Sequence, residues 1–339
     1  MASEKNKKDI SEIRQDPVKG EWVIIATARG KRPHAFSGTP ATIADQKKES
    51  CPFEDPFSER EPSLVFWNDK SKKDWSLVVI QNKFPALEPV KAEKIRKEGP
   101  YHIAKGVGFH ELVIARDHDK FIPDLSKKDA EILVLAYNQR YREILKNRSV
   151  EYVFILHNHG RDAGASLRHL HSQIIAPSVV PTDVQRSIDA SEKYFSKNKK
   201  CIHCKILKYE LKDKKRVVYQ NKKFAVFVPF ASKMAFEINI FPKEHEDSFG
   251  DLKREDMKFF ADALQKALQK LRVALNDPAF NFFIHSSPKS GNHKHYHWHM
   301  EIFPKTSVWA GYEIGTGMPI SAVRPEDAAK FLRGAKVQG

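Results

Sequence analysis

Ser166-Leu167-Arg168-His169-Leu170-His171-Ser172-Gln173-Ile174-Ile175-Ala176 sets two histidines and a glutamine at alternate positions and runs on into an apolar tail. Alternation is the period of a β-strand, so the spacing predicts His169, His171 and Gln173 on one face. The segment leading in, Asn158-His159-Gly160-Arg161-Asp162-Ala163-Gly164-Ala165-Ser166, places two glycines among small and polar residues, which suits close approach of backbone to phosphate oxygens. A neutral imidazole is a competent nucleophile toward phosphorus, and a phosphoramidate intermediate divides one difficult transfer into two easier steps. Gln173, two residues beyond His171, is placed to donate to a non-bridging oxygen as charge redistributes. Two surface histidines on an ordinary strand is the competing reading, and the rest of the chain weighs against it.

The same pattern returns 128 positions later as His297-Trp298-His299-Met300-Glu301. Upstream, Phe109, Asp117-His118 and Asp124-Leu125 match Phe236, Glu244-His245 and Asp251-Leu252, each 127 positions apart. Both runs lead into helical patterns, Ser126 to Asn147 with Ser126 as N-cap, and Lys253 to Leu275 with Phe260, Leu264, Leu268 and Leu271 at three- and four-residue steps. A duplication explains this order of unusual residues better than chance. The 339 residues, 41% of them apolar, also suffice for two ordinary cores. The polar stretch Ser191 to Lys200 reads as a linker or an exposed helix end, and the boundary is set near residue 185, giving units 1–185 and 186–339. Strand-like runs at Trp22 to Ala26, Ser76 to Ile80, Glu111 to Ala115 and Tyr152 to Leu156, mixed with the helices, indicate an α+β fold.

The cysteines are three, Cys51, Cys201 and Cys204, too few and too oddly spaced for a disulfide framework. Cys201-Ile202-His203-Cys204 has the spacing of half a zinc site, and His245 and His297 are the candidates to complete it, with His299 the alternative to His297. In the first copy Cys51-Pro52-Phe53-Glu54 stands in the corresponding place, and His118 and His169 match His245 and His297. A Cys-Glu-His-His site follows from that correspondence; without metal, His169 would support His171 by hydrogen bonding. The second copy keeps His299 but carries Glu301 where catalysis wants an amide and lacks a counterpart of the 158–166 loop, so that copy is expected to be structural.

Basic residues outnumber acidic ones 58 to 43, for a net charge of +15, which favours anionic partners without separating a phosphorylated metabolite from nucleic acid. The lysine-rich runs at 197–200 and 214–216 read as solvated surface, and a nucleic-acid partner is not expected. Met1 to Ile10 is charged, and no run approaches the roughly 18 apolar residues that a membrane span requires, so a cytoplasmic protein without membrane contact is expected. Arg29-Gly30-Lys31-Arg32-Pro33 follows the first strand, and its arginine forks suit phosphate oxygens as well as bare surface. Gln81-Asn82-Lys83-Phe84-Pro85 sets an amide and an aromatic beside a turn, which suits a nucleoside and equally an ordinary loop.

Taken together, Arg29-x-x-Arg32-Pro33, Asn82-x-Phe84-Pro85, Asn158-x-Gly160 through Ser166-x-x-His169-x-His171-x-Gln173, and Gly311-Tyr312-Glu313 with Gly315-Thr316-Gly317 resemble the galactose-1-phosphate uridylyltransferase family of the histidine-triad superfamily, from about Trp22 to about Leu332. The resemblance implies two tandem histidine-triad-like domains, each an antiparallel sheet with packed helices. It also implies that His171 carries the nucleotidyl group while His169 binds a structural metal. Further, Gln173 and Ser166 would hold phosphate oxygens, Asn158 would support the loop, and Arg29, Arg32, Asn82 and Phe84 would surround the nucleotide. Tyr312 and Glu313 match residues that hold sugar hydroxyls, often across a two-fold homodimer. The implied activity is ping-pong transfer of a uridylyl group from UDP-glucose to galactose 1-phosphate, with zinc. Two departures stand out: Glu54 replaces a cysteine of several zinc-containing members, and Ser172 sits between histidine and glutamine as in phosphorylase and adenylyltransferase relatives. An ADP-sugar phosphorylase or adenylyltransferase is therefore the alternative, and the choice of uracil or adenine stays open.

Overall fold

The computed structural model describes residues 10–31, 47–58, 61–68, 74–91 and 95–337. The chain opens with the hairpin β1 (Glu12–Gln15) and β2 (Trp22–Ile25), then β3 (Leu64–Trp67), β4 (Trp75–Gln81) and a small hairpin of β5 (Arg96–Glu98) and β6 (Tyr101–Ile103). The first copy of the repeat follows as β7 (Gly108–Ala115), α1 (Lys127–Leu145), β8 (Phe154–His159) and β9 (His171–Pro177). After α2 (Thr182–Asn198), α3 (Ile202–Asp213), β10 (Val217–Gln220) and β11 (Phe224–Phe227) comes the second copy: β12 (Ile238–Pro242), α4 (Met257–Leu275), β13 (Phe280–His285) and β14 (His299–Pro304). A short α5 (Gly311–Thr316), β15 (Ile320–Ser321) and α6 (Pro325–Gly334) complete the described fold.

The α+β class holds, and the two copies share one antiparallel sheet ordered β10-β11-β12-β14-β13-β8-β9-β7-β4-β3. Five strands on each side are related by an approximate two-fold axis through the central β8–β13 pair, where Ile155 faces Ile284, Leu156 faces Phe283 and Asn158 faces Asn281. The helices α1 and α4 pack on each other and on this sheet, through Leu133, Val134, Tyr137 and Tyr141 of α1 and Phe260, Leu264, Leu268 and Leu271 of α4, all at helical spacing and buried. The seam carries a reciprocal pair of hydrogen bonds. Asn138 of α1 donates to the carbonyl of Phe249 (2.7 Å), and Gln265 of α4, 127 positions later, donates to that of Leu125 (2.8 Å), each reaching the turn that precedes the other helix. Buried amides on such partners specify one docking register at little net cost.

Ser126 caps α1 as expected, its hydroxyl accepting from the Asp129 amide at 3.1 Å. Of the two readings of Ser191 to Lys200, the exposed helix end is the one found: it closes α2, anchored through buried Ser187 and Ser191, and residue 185 lies inside that helix. One expectation changes. The strand predicted from residue 169 begins at His171; His169 sits just outside it because its ring is drawn into the cluster around Cys51.

Candidate active site

β9 lies between β7 and β8, so side chains on its open face meet groups from both neighbours. His171, only 7% exposed, directs Nδ1 at the carbonyl of His169 (2.8 Å). A carbonyl can only accept, so Nδ1 carries the ring hydrogen and Nε2 keeps a lone pair. Burial holds the ring below the ordinary imidazole range, which favours this neutral form at neutral pH. The Phe53 ring packs against it edge-to-face, the two ring centres 5.1 Å apart, and fixes its plane. Behind the strand, His157 points Nδ1 at the carbonyl of His171 (2.8 Å), and burial keeps His157 uncharged, its pKa lowered to about 3.

Gln173 follows on the same face, and Leu112 of β7 is its cross-strand partner. Its Oε1 lies 2.9 Å from Nε2 of His110, a buried residue on β7 that the sequence reading did not single out. The available signal was a histidine two residues before the apolar end of β7, at the strand period that gives it the same face as Gln173. Asn82 packs its amide nitrogen 3.1 Å from the same ring atom, and its Oδ1 accepts from the Phe84 amide at 2.9 Å. The 82–86 turn is thereby brought to Gln173, while the Phe84 ring stands 82% exposed.

The loop between β8 and β9 turns at Gly160 and Gly164, both at φ above +80°, where a side chain would strain the backbone. The Gly164 and Ala165 amides close it onto the carbonyls of Arg161 (2.8 Å) and Gly160 (3.1 Å). Asn281 of the second copy braces it, donating both to Asn158 Oδ1 and to the Ala163 carbonyl at 2.7 Å each. Ser166 ends the loop in an exposed position. Asn158, Gly160, Arg161, Ala165 and Arg168 line a recess that reaches His169 and His171. Arg29 is exposed on a turn after β2, and Arg32 lies outside the described residues. Tyr312 and Glu313 occupy α5 and bond locally, to Met318 Sδ (3.4 Å) and from the Ala310 amide (3.0 Å), and no hydrogen bond ties either to the His171 group.

Among the described residues three groups of side chains are close enough to hold a metal ion; one is His285, His299 and Glu301, and the other two carry cysteine. Cys201 Sγ, Cys204 Sγ and a ring nitrogen each of His245 and His297 lie within 4.8 Å of one another, so His297 and not His299 completes this set. Cys204 Sγ is 3.1 Å from Nδ1 of His245 and 3.5 Å from Nδ1 of His297. Cys201 is drawn strongly toward thiolate by the Cys204 thiol and then by His245 and His297. In the first copy Cys51, His118 and His169 gather likewise, and Glu54 Oε1 stands 3.1 Å from Nδ1 of His118 and 3.5 Å from Nδ1 of His169. The second oxygen of Glu54 is held by Arg116 at 3.1 Å, which turns Oε1 inward. His169 donates Nε2–H to the Ala115 carbonyl (2.6 Å), and His245 does so to that of Lys294 (3.0 Å), which leaves each Nδ1 unprotonated for a metal. A Cys-Cys-His-His set fits tetrahedral zinc, and the Cys-Glu-His-His set fits it with one harder ligand.

The second copy builds a different face at the equivalent place. His299 donates Nδ1–H to the His297 carbonyl (3.0 Å), as His171 does to that of His169, but its Nε2 faces Glu301 Oε1 at 3.5 Å. His285 Nε2 stands 3.5 Å from the other Glu301 oxygen. Burial and then Glu301 hold the neighbouring Glu237 carboxyl well above the usual range. This recess, lined by Lys19 and Lys233 as well as Glu237 and Glu301, is larger than the one beside His171, and it sets a carboxylate where the first copy sets an amide.

Residues 1–181 match the family model described as galactose-1-phosphate uridyl transferase, N-terminal domain, and residues 200–308 match that described as scavenger mRNA decapping enzyme C-term binding. The chain is 35% identical to an ADP-glucose phosphorylase of Arabidopsis thaliana, over 95% of this chain and 92% of that one. It is 29% identical to a galactose-1-phosphate uridylyltransferase of Thermotoga maritima, over 96% of this chain and 99% of the relative. Among solved structures, an ADP-glucose phosphorylase from Arabidopsis thaliana with bound ADP-glucose superposes with a TM-score of 0.81 at 33% identity, covering 97% of this chain and all of that one.

Proposed function

The chain belongs to the galactose-1-phosphate uridylyltransferase family, a family of nucleotidyltransferases, and on that premise we propose that it moves the nucleoside monophosphate unit of a nucleoside diphosphate sugar through a covalent link on His171. The observation that carries this reading is the Nδ1 hydrogen bond of a buried, neutral His171, which leaves Nε2 as the nucleophile. In the first half-reaction Nε2 bonds to the α-phosphorus while the bond from that phosphorus to the oxygen of the sugar 1-phosphate breaks. The sugar 1-phosphate leaves. In the second, an acceptor oxygen bonds to phosphorus and the N–P bond breaks, restoring neutral His171. Gln173 and Ser166 are assigned to the phosphate oxygens, with Asn158 supporting the loop. Arg29, Arg32, Asn82 and Phe84 are assigned to the nucleotide, and Tyr312 and Glu313 to the sugar of a partner protomer in a homodimer.

For the finer activity we favour an ADP-sugar phosphorylase, with inorganic phosphate as acceptor, on the strength of the Arabidopsis relative and its ADP-glucose complex. Uridylyl transfer from UDP-glucose to galactose 1-phosphate is the second reading, supported by the match over residues 1–181 and by the Thermotoga relative. The two differ in a few hydrogen bonds to the base. Zinc held by Cys51, Glu54, His118 and His169, and by Cys201, Cys204, His245 and His297, would supply structural cross-links and no catalytic step. The catalytic role is assigned to the unit 1–185 and the structural role to 186–339, in a cytoplasmic protein; no helix among the described residues is long and apolar enough to cross a membrane.

The test is to incubate the protein separately with ADP-glucose and UDP-glucose labelled at the α-phosphorus, without acceptor, and then to chase with phosphate or galactose 1-phosphate. Acid-labile label on wild type and none on His171→Ala is expected, released by phosphate as ADP. Release only by galactose 1-phosphate as UDP-galactose would select the second reading, and an unlabelled protein would remove the covalent mechanism.

A further inference from the structure

A glutamine on a phosphate-binding face has a choice that its position does not settle: its oxygen and its nitrogen are nearly the same size, and only the nitrogen can donate. Turned the wrong way, the Gln173 amide would set an acceptor against phosphate oxygens. The residue that decides between the two orientations is His110. The backbone amide of Ala86 donates to His110 Nδ1 at 3.0 Å, so the hydrogen of the neutral ring is on Nε2. That nitrogen stands 2.9 Å from Gln173 Oε1 and donates to it, so its 3.1 Å approach to the Asn82 amide nitrogen is a packing contact, and both amide hydrogens of Gln173 are left for the open face it shares with His171. We propose that His110 is a positioning residue for nucleotidyl transfer, one that locks Gln173 with its NH2 group toward the transferring phosphate and ties that orientation to the 82–86 turn.

The duplicated half supplies an independent observation. The position equivalent to His110 is Glu237, and the position equivalent to Gln173 is Glu301. In the first copy the pair is donor and acceptor, leaving amide donors free; in the second it is two carboxylates, Glu237 buried and Glu301 half-buried, close enough that Glu301 raises Glu237. Both positions differ, and the copy with the imidazole–amide pair sets an amide beside its second histidine where the other sets a carboxylate. The strands bring the two positions together diagonally in both halves, since Leu112 is opposite Gln173 as Asn239 is opposite Glu301. A cross-strand pair of this kind works as a unit.

The proposal rests on the transfer reading above, and its test keeps the two apart. Rapid-quench labelling of the full chain by whichever α-labelled donor it accepts would compare wild type, His110→Leu, His110→Gln, Gln173→Ala and the double variant His110→Leu/Gln173→Ala, with thermal unfolding of each to establish that it is folded. His110→Leu should slow label formation by about tenfold to a hundredfold. Glutamine at 110 can accept from Ala86 and donate to Gln173, so His110→Gln should recover most of that loss, and the double variant should be no slower than Gln173→Ala. Wild-type rates in His110→Leu, or losses that multiply in the double variant, would overturn the proposal. A wild type that never takes label defeats the transfer reading instead. The positioning claim is then read from the Gln173 side-chain amide resonances of the protein with nitrogen-15 glutamine: they should move to unbonded values in His110→Leu and stay near wild type in His110→Gln, and an unchanged spectrum in His110→Leu would sink it.

Discussion

At the residue scale, one hydrogen bond fixes which nitrogen of His171 keeps its lone pair and so which would react in the proposed transfer. The His169 carbonyl accepts the Nδ1 hydrogen, and burial disfavours a second proton, so the ring would act as a nucleophile without needing a base. In the proposed transfer Gln173 adds what the ring lacks, a donor for the charge shifting onto non-bridging oxygens. Its replacement by alanine is expected to slow covalent labelling by about 10²–10³-fold, because an amide that donates chiefly in the transition state acts on rate more than on ground-state affinity. Stopped-time labelling beside donor titration separates the two quantities, and a loss confined to donor affinity would contradict the assignment. Glu301, the counterpart of Gln173, would not offer the same help in the second copy, since a carboxylate repels the phosphate an amide would hold.

At the element scale, the loop between β8 and β9 depends on the other half of the duplication. Asn281 on β13 holds Asn158 and the Ala163 carbonyl together, so truncating it should loosen the phosphate loop while leaving the sheet intact. Asn281→Ala is expected to weaken donor binding and slow labelling by about tenfold, the cost of leaving a carbonyl and an amide without their partner. Calorimetric binding of the donor checks this, and unchanged affinity would show that the brace is dispensable. The start of α3 poses a similar question about metal. Cys204→Ala should halve the zinc content measured by mass spectrometry and lower the unfolding temperature, since a closed four-ligand site contributes directly to folding. Unchanged zinc would mean the Cys201 cluster holds none.

At the scale of the whole molecule, the two copies share a sheet and a core, and the β8–β13 seam cannot be opened without exposing two strand edges and the apolar faces of α1 and α4. Residues 1–185 and 186–339 expressed separately are expected to aggregate or remain unfolded, as read by circular dichroism and light scattering, whereas a monomeric, cooperatively melting 1–185 fragment would count against a shared core. The first strand and the last helix are tied together by charge. Arg14 from β1 and Arg216 beside α3 both bond Glu326 at the start of α6, at 3.0 and 2.6 Å. Burial alone would raise the Glu326 carboxyl, but its hydrogen bonds from Arg14, from its own backbone amide and from Arg216 outweigh it and bring the pKa to about 2. Its folded value lies below its unfolded one, so this stabilisation is present above about pH 4.3 and is lost as pH falls toward 2. Glu326→Gln should therefore cost about 1–3 kcal/mol near pH 7, and the gap to wild type should close with acid. Denaturant melts at pH 7 and pH 3 read this, and a gap of constant size would show that the carboxylate charge is not what holds α6.

The periodicities of the chain determined by themselves its class, its duplication, both long helices with the Ser126 cap, and the pairing of each cysteine motif with two distant histidines. These are properties of local spacing and of repeated order, and both survive in one dimension. What only the tertiary structure decided lies where strands from different parts of the chain meet. His110 reaches Gln173 through the register of β7 on β9, and Asn281 reaches the loop between β8 and β9 through the register of β13 on β8. None of these pairs shares a motif, because a diagonal contact between strands depends on register, and register is set by packing the whole sheet against α1 and α4.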